Sequence, residues 1–230
     1  VPLPDSLQRV ARWTRHGLRR LRRPARSQAE LHEYWRRPDA TNRPELYIAP
    51  TAARRSEFLV ELLRSKLELD TEAEILELGC NAGRNLDFLR RAGYGRLSAV
   101  EISPGAVQLL RESFPALAAD LELHLGAAEE MLPRFPDASF DLVFTMAVLE
   151  HVHDRGSAVF DELARLTRRH LLTIEDEHKV SWRHFPRDYR RVFEARGLRQ
   201  VHQERCEPET HGLDPVHVVR VFEVDAAGRG

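Results

Sequence analysis

Two clusters in this sequence have residue types and spacing suited to chemistry. The first is ELGCNAG, residues 77–83, where Glu77, Gly79, Cys80, Asn81 and Gly83 follow a short apolar run. Glycine at 79 and 83 lets the backbone turn sharply and come close to a ligand. A helix beginning near Arg84 then points its free N–H groups at that ligand. Such a loop is suited to a nucleotide-type cofactor. The second cluster is a pair of turns, EHVHD at 150–154 and EDEH at 175–178, which combine histidines with acids. His151 is the first choice for a general base, because its neutral form is available near pH 7, and His178 is the second. Glu175 or Asp176 would orient that base or bind a substrate amine.

The elements that must position these groups show in the hydrophobic rhythm. Residues 7–21 carry apolar side chains at helical spacing with arginines between them, which predicts an amphipathic basic helix stopped near Pro24. A short helix holds Leu31, Tyr34 and Trp35 and ends before Pro38, and a proline-rich loop comes next. Thr51 is expected to cap a helix running to about Leu67. Beyond Asp70 short apolar runs alternate with helical stretches. Strands are predicted over 74–78, 97–102, 121–125, 140–146 and 170–174, and helices over 85–92, 104–113, 158–166 and 187–196. Two extended runs, 198–204 and 217–224, close the chain with no clear helix between them. The pattern is α/β, a Rossmann-like, doubly wound, mostly parallel sheet of seven strands with an antiparallel C-terminal edge hairpin, preceded by N-terminal helices. The turns at 150–154 and 175–178 come after neighbouring strands, so they are expected in the same cleft.

A dinucleotide fingerprint, GxGxxG, would need glycine where Asn81 and Arg84 stand, so that reading is poor. The segment instead resembles motif I of the class I S-adenosylmethionine-dependent methyltransferases, (D/E)xGxGxG, in their methyltransferase-11/25-like small-molecule branch. Asn81 replaces the middle glycine, and Asn tolerates positive φ better than most residues. Three companions carry the resemblance further. Glu101 ends the second strand in LSAVEIS, and GAAEEMLPRFPDASFDLV matches the post-strand segment of the family over nearly its whole length. FDLVFTMAVLEHV matches its fourth strand with the LEH ending. The resemblance implies S-adenosylmethionine as cofactor. It implies ribose contacts from Glu101 with Ile102 beside it, and an adenine border of Ala128 and Glu129. Thr145 and Met146 would line the methionine end. The usual acid of the adenine border is Ala127 here, and Glu129 is its candidate substitute. The region after the fifth strand commonly borders the acceptor in this family, which draws Trp182, His184 and Tyr189 to the substrate side. Residues 51–230 would form the methyltransferase domain, with 1–50 a helical lid closing the cleft through Tyr34, Trp35 and Tyr47.

Methyl transfer from a sulfonium needs alignment and exclusion of water more than covalent help. The acceptor is therefore expected to be a small molecule methylated on oxygen or nitrogen. No metal is assigned: histidines and acids in one cleft suit a facial triad, but groups on separate turns fix no ligand spacing. Lys+Arg is 35 against Asp+Glu 36, and the net charge of −1 gives no global pull toward nucleic acid. Residues 1–29 nonetheless hold eight arginines and one acid. That basic face leaves RNA phosphates, and with them an RNA methyltransferase, as one alternative, though no RNA-binding motif accompanies it; a membrane surface or a homodimer interface would suit the helix equally. A methyltransferase-like protein that binds cofactor without turnover is the remaining alternative. Two cysteines with no framework spacing, no apolar run of membrane-spanning length and no secretory-type start make a reduced, cytoplasmic protein the expectation.

Overall fold

The computed structural model describes residues 26–224, and the basic helix expected over 7–21 lies outside them. A seven-stranded sheet forms the centre, in the order β3-β2-β1-β4-β5-β7-β6. The strands are β1 (Ile75–Leu78), β2 (Leu97–Glu101), β3 (Glu122–Leu125), β4 (Phe140–Met146), β5 (Thr167–Asp176), β6 (Leu198–Arg205) and β7 (His217–Val224). The first five are parallel, and β7 runs antiparallel to both β5 and β6. The sheet class and its antiparallel edge pair are therefore as the alternation of elements predicts.

Every residue of β1 and β2 is buried, as expected of parallel strands covered on both faces. Period-two alternation sends Ile75 to one face and Leu76 to the other. Ile75 packs with Leu142 and Phe144 under α2 (Ala53–Ser65) and α3 (Arg84–Arg91). Leu76 packs with Val143 and Leu171 under α7 (Ala158–Leu166) and α8 (Tyr189–Glu194). Edge strand β6 alternates between buried or half-buried and exposed residues, with only one face covered. Strand order reverses between β1 and β4, and the crevice that such sheets use for ligands opens beyond their carboxyl ends.

Five further helices complete the frame, and the short ones at 115–120, 128–131 and 208–211 are not expected from the sequence. The first helix, α1 (Gln28–Arg36), starts from a capping box of Ser27 and Glu30 and buries Leu31. The others are α4 (Pro104–Ser113), α5 (Pro115–Asp120) and α6 (Ala128–Met131), and α9 (Pro208–His211) joins β6 to β7. That last junction is one where the sequence predicts no helix; one turn is too short to show a period in sequence, and it is pinned by His211 packing on Phe58 with ring centroids 4.4 Å apart. Thr51 does not cap α2. It sits exposed in a 3-10 turn, Pro50–Ala52, that leads straight into the helix, whose N-cap is Ala52. No described helix is long and apolar enough to cross a membrane.

Candidate active site

The loop after β1 is shaped by backbone rather than by side chains. Gly79 has φ +74°, and a Cβ there would lie 2.5 Å from Val148 Cγ2, so the loop packs directly on the turn after β4. Asn81 takes φ +49°, the left-handed conformation expected of it, and its own Oδ1 accepts from Ala82 N at 2.8 Å. Gly83 closes the turn at φ +78°, against Leu110. Helix α3 begins at the next residue.

Glu101, at the end of β2, ties this loop to the next one. Its Oε2 accepts from Asn81 N at 2.8 Å and its Oε1 from Ser103 N at 2.7 Å. Each oxygen keeps a second lone pair, and the residue lines a cavity beyond the carboxyl ends of the strands. Glu77, on β1, is 2% exposed; Oε1 accepts from Asn85 Nδ2 at 2.7 Å, and Oε2 has no partner at all. Burial pushes its carboxyl up to about 8, against the pull of Asn85 and of the Arg84 charge. Arg84 is buried beside it without a carboxylate of its own. It donates to Ser56 Oγ, Tyr47 O and Asn85 Oδ1, and burial pulls it down to about 10. An orphaned, buried carboxylate oxygen costs about 1–3 kcal/mol, and a cationic donor entering the cavity would satisfy it.

The same cavity is lined by Gly79, Cys80, Asn81, Ile102, Ala128 and Glu129, and by Met146, Trp35, Tyr47 and His151. The structure thus gathers most of the cofactor candidates into one space, together with two aromatic candidates from the first fifty residues and the favoured histidine. Gly83 and Thr145 lie outside it. Gly83 shapes the turn, and Thr145 is fully buried with its Oγ1 donating to Glu175. Glu129 is already engaged by α1: Gln28 Nε2 donates to Oε1 at 2.5 Å and His32 Nε2 lies 3.4 Å from Oε2. Its carboxylate is held by the helix over the cleft.

The turns after β4 and β5 do meet, but through their acids. Glu175 Oε2 accepts from Val148 N at 2.9 Å and Glu150 N at 3.2 Å, while Glu150 Oε2 accepts from Asp176 N at 2.6 Å. Burial pushes both carboxyls up. With Thr145 on its other oxygen, Glu175 is spent inside the fold and does not face an acceptor. His178 is exposed and outside the cavity, held by its backbone N to Asp176 Oδ1. The strand ends before it, so the chain turns the ring to solvent.

Of the two candidate bases, His151 is the one that reaches the cavity, which His32 and His153 also line. Its Nδ1 lies 2.7 Å from Arg183 O, and its ring packs 4.5 Å from Trp35 and 4.7 Å from His184. Burial pulls its imidazolium down to about 3, which leaves a neutral ring. His184 stands behind it, 5% exposed. Tyr34 and Trp182 brace this wall without lining the cavity: their rings meet edge-on at 4.8 Å, and Asn42 Nδ2 donates to the Tyr34 hydroxyl at 2.7 Å. Tyr189 is fully buried among Phe160 and Phe193 on the α7–α8 side of the sheet, far from any acceptor role.

Sequence reasoning missed Arg84, Asn85, Gln28 and His32. The signal for Arg84 and Asn85 was their place directly after the glycine loop, where Arg84 counted only against a dinucleotide pattern and Asn85 only as the start of a helix. Gln28 and His32 lie about a hundred residues from Glu129, and no local pattern links them.

A family model described as a methyltransferase domain matches residues 76–170. Among curated proteins, methyltransferase GfsG of Streptomyces halstedii is 24% identical over 135 residues, covering 59% of this chain and 45% of that protein. The chain therefore spans less than half the length of that relative. Among solved structures, magnesium protoporphyrin IX methyltransferase (ChlM) from Synechocystis PCC 6803 with bound SAH superposes with TM-score 0.64, at 14% identity over 87% of this chain and 100% of that one. Burkholderia thailandensis 1,6-didemethyltoxoflavin-N1-methyltransferase, with bound 1,6-didemethyltoxoflavin and S-adenosylhomocysteine, gives 0.65, at 16% identity over 88% and 92%. Residues 76–170 thus match the methyltransferase-domain family, and the glycine loop and strand order agree with the fold of these solved methyltransferases.

Proposed function

We propose that the protein transfers a methyl group from S-adenosylmethionine to an oxygen or nitrogen atom of a small-molecule acceptor. The observation that carries this reading is that the glycine-loop cradle and a wall of Trp35, Tyr47 and His151 share one cavity. The cofactor, when bound, supplies an electrophilic methyl group on a sulfonium. The residues present fit it. Glu77 offers an unpartnered carboxylate oxygen to its ammonium, Arg84 offers a guanidinium free of acids to its carboxylate, and Glu101 keeps lone pairs for ribose hydroxyls. Gly126 and Ala128 line the cavity on the side where an adenine would rest.

Helix α1 supplies the cover. Leu31 and Trp35 line the cavity, and Gln28 and His32 fasten the helix to Glu129. A covered cleft keeps water from competing for the methyl group. The acceptor side is aromatic, which suits a planar molecule, and the Burkholderia neighbour has 1,6-didemethyltoxoflavin bound.

Calorimetry with S-adenosylmethionine, S-adenosylhomocysteine and NAD tests the cofactor side. Binding of the two sulfur nucleotides and not of NAD is expected, and failure to bind either one sinks the proposal. Methyl incorporation into an RNA-free small-molecule extract tests the acceptor. Labelling confined to added RNA would shift the reading to RNA methylation, and cofactor binding without any labelling would point to a non-catalytic binding protein.

A further inference from the structure

Behind Trp35, three potential ligand atoms converge from two separate chain segments. Glu150 Oε1 lies 3.6 Å from His151 Nε2 and 3.6 Å from His184 Nε2, and the three donors all lie within 4.8 Å of one another. The groups are well shielded, with side-chain exposures of 6%, 12% and 5% for Glu150, His151 and His184.

The outward-facing atoms of all three are already assigned. His151 Nδ1 sits 2.7 Å from Arg183 O, and a carbonyl only accepts, so Nδ1 carries the hydrogen and Nε2 the lone pair. His184 Nδ1 sits 2.6 Å from Ser181 Oγ, which has capacity to take that hydrogen as well as the one from Arg183 N. Glu150 Oε2 accepts from Asp176 N, which leaves Oε1 turned to both imidazoles. With Ser181 Oγ accepting from His184 Nδ1, two lone pairs and a carboxylate oxygen face a common point. A single proton on Glu150 would serve one imidazole at a time, whereas a cation serves all three.

We propose that Glu150, His151 and His184 form a binding site for a divalent first-row transition ion of the zinc type. Imidazoles whose far nitrogens are held by a carbonyl and a hydroxyl have the outer support typical of metal-binding histidines. Ligands about 2.0–2.2 Å from a tetrahedral ion lie roughly 3.3 Å apart, so the Glu150–histidine separations need to close by a few tenths of an ångström and the two imidazole nitrogens, within 4.8 Å of each other, by up to about 1.5 Å. Two histidines and one carboxylate leave coordination positions open, and His151 lines the acceptor cavity, so the ion would sit at its wall. The site stands independently of the methyl-transfer reading.

The test uses the full chain, stripped with chelator and titrated with Co²⁺, followed by displacement with Zn²⁺. One equivalent per chain is expected, with a visible ligand-field band that Zn²⁺ abolishes. His184→Ala and Glu150→Gln should each weaken binding by on the order of 100-fold, and Ser181→Ala by about 10-fold. Absence of a saturable band in the wild-type chain overturns the proposal, as does affinity unchanged in folded His184→Ala. Should that variant fail to fold, Ser181→Ala and the wild-type spectrum decide the matter. Because the readout is metal binding, failure here leaves the cofactor and methyl-incorporation experiments untouched.

Discussion

At the carboxyl ends of β1 and β2, the acids Glu77 and Glu101 line the cavity and keep hydrogen-bonding capacity for a ligand. At the ends of β4 and β5, the acids Glu150 and Glu175 turn into the fold, where backbone N–H groups of the opposite turn occupy them. Glu77, Glu101 and Glu175 lie near the ends of their strands and Glu150 in the 3-10 turn after β4, and all four are buried. The difference lies in the turn that each strand leads into. Glycines after β1 wrap the backbone around the cavity, and the acids there line it while staying buried. The tight turn after β4 runs across the end of β5, and its free N–H groups need acceptors. Glu101 too accepts from two backbone N–H groups, of Asn81 and Ser103, so what separates the two pairs is that only the first lines the cavity.

Removing an acid from each region should separate the two roles. The largest effect is expected for Glu175→Ala, which leaves Val148 N, Glu150 N and Thr145 Oγ1 without their acceptor. A loss of stability on the order of 3 kcal/mol is expected in urea denaturation. A normally stable variant would break the comparison.

Glu77→Gln should behave in the opposite way. Loss of the charge facing the cofactor ammonium should weaken S-adenosylhomocysteine binding about 10-fold, or about 1.4 kcal/mol. Stability should rise, with a definite pH signature. The folded-state pKa of Glu77, about 8, lies above its ordinary value of 4.5. Its proton is thus bound more tightly in the folded chain, and that contribution to stability is complete below pH 4.5, falls through the interval and levels off above 8. The melting temperature of Glu77→Gln relative to wild type should therefore climb with pH across that window and then flatten. A constant offset would show that Glu77 is already ionised in the free protein.

His32→Ala loosens one of the two contacts that fasten α1 to Glu129. A half-exposed pair of this kind is worth about 0.5 kcal/mol, so KM for the cofactor should shift by no more than about threefold with kcat retained. The smallest effect belongs to His178→Ala. The ring is exposed and outside the cavity, so kcat and KM in the methyl-incorporation assay should stay at wild-type values. A collapse of kcat would return His178 to the site and place the chemistry at the β5 turn.

Much of this was legible in the chain. The rhythm of apolar runs gave the sheet, because strand and helix periods are local properties of a few consecutive residues. Gly79, Asn81 and Gly83 gave the tight loop after β1 for the same reason: positive φ is a demand on single residues, and few residue types meet it. Boundaries set by tertiary contact were harder. Helix α9 forms because His211 packs on Phe58, well over a hundred residues away in sequence, and Thr51 loses its expected capping role to a 3-10 turn.

By itself, the sequence determined the sheet, the glycine loop, the acids at the strand ends and the identity of the cofactor class. Only the tertiary structure decided which of the acids and histidines face a ligand. Glu175 and Tyr189 carry the right chemistry in the right segments, yet backbone hydrogen bonds claim one and an aromatic core claims the other. Glu150, His151 and His184 converge although the last is more than thirty residues from the first two. Backbone conformation is written in neighbouring residues, whereas the partner of a buried polar group comes from whichever segment packs against it. That allocation exists only once the chain has folded.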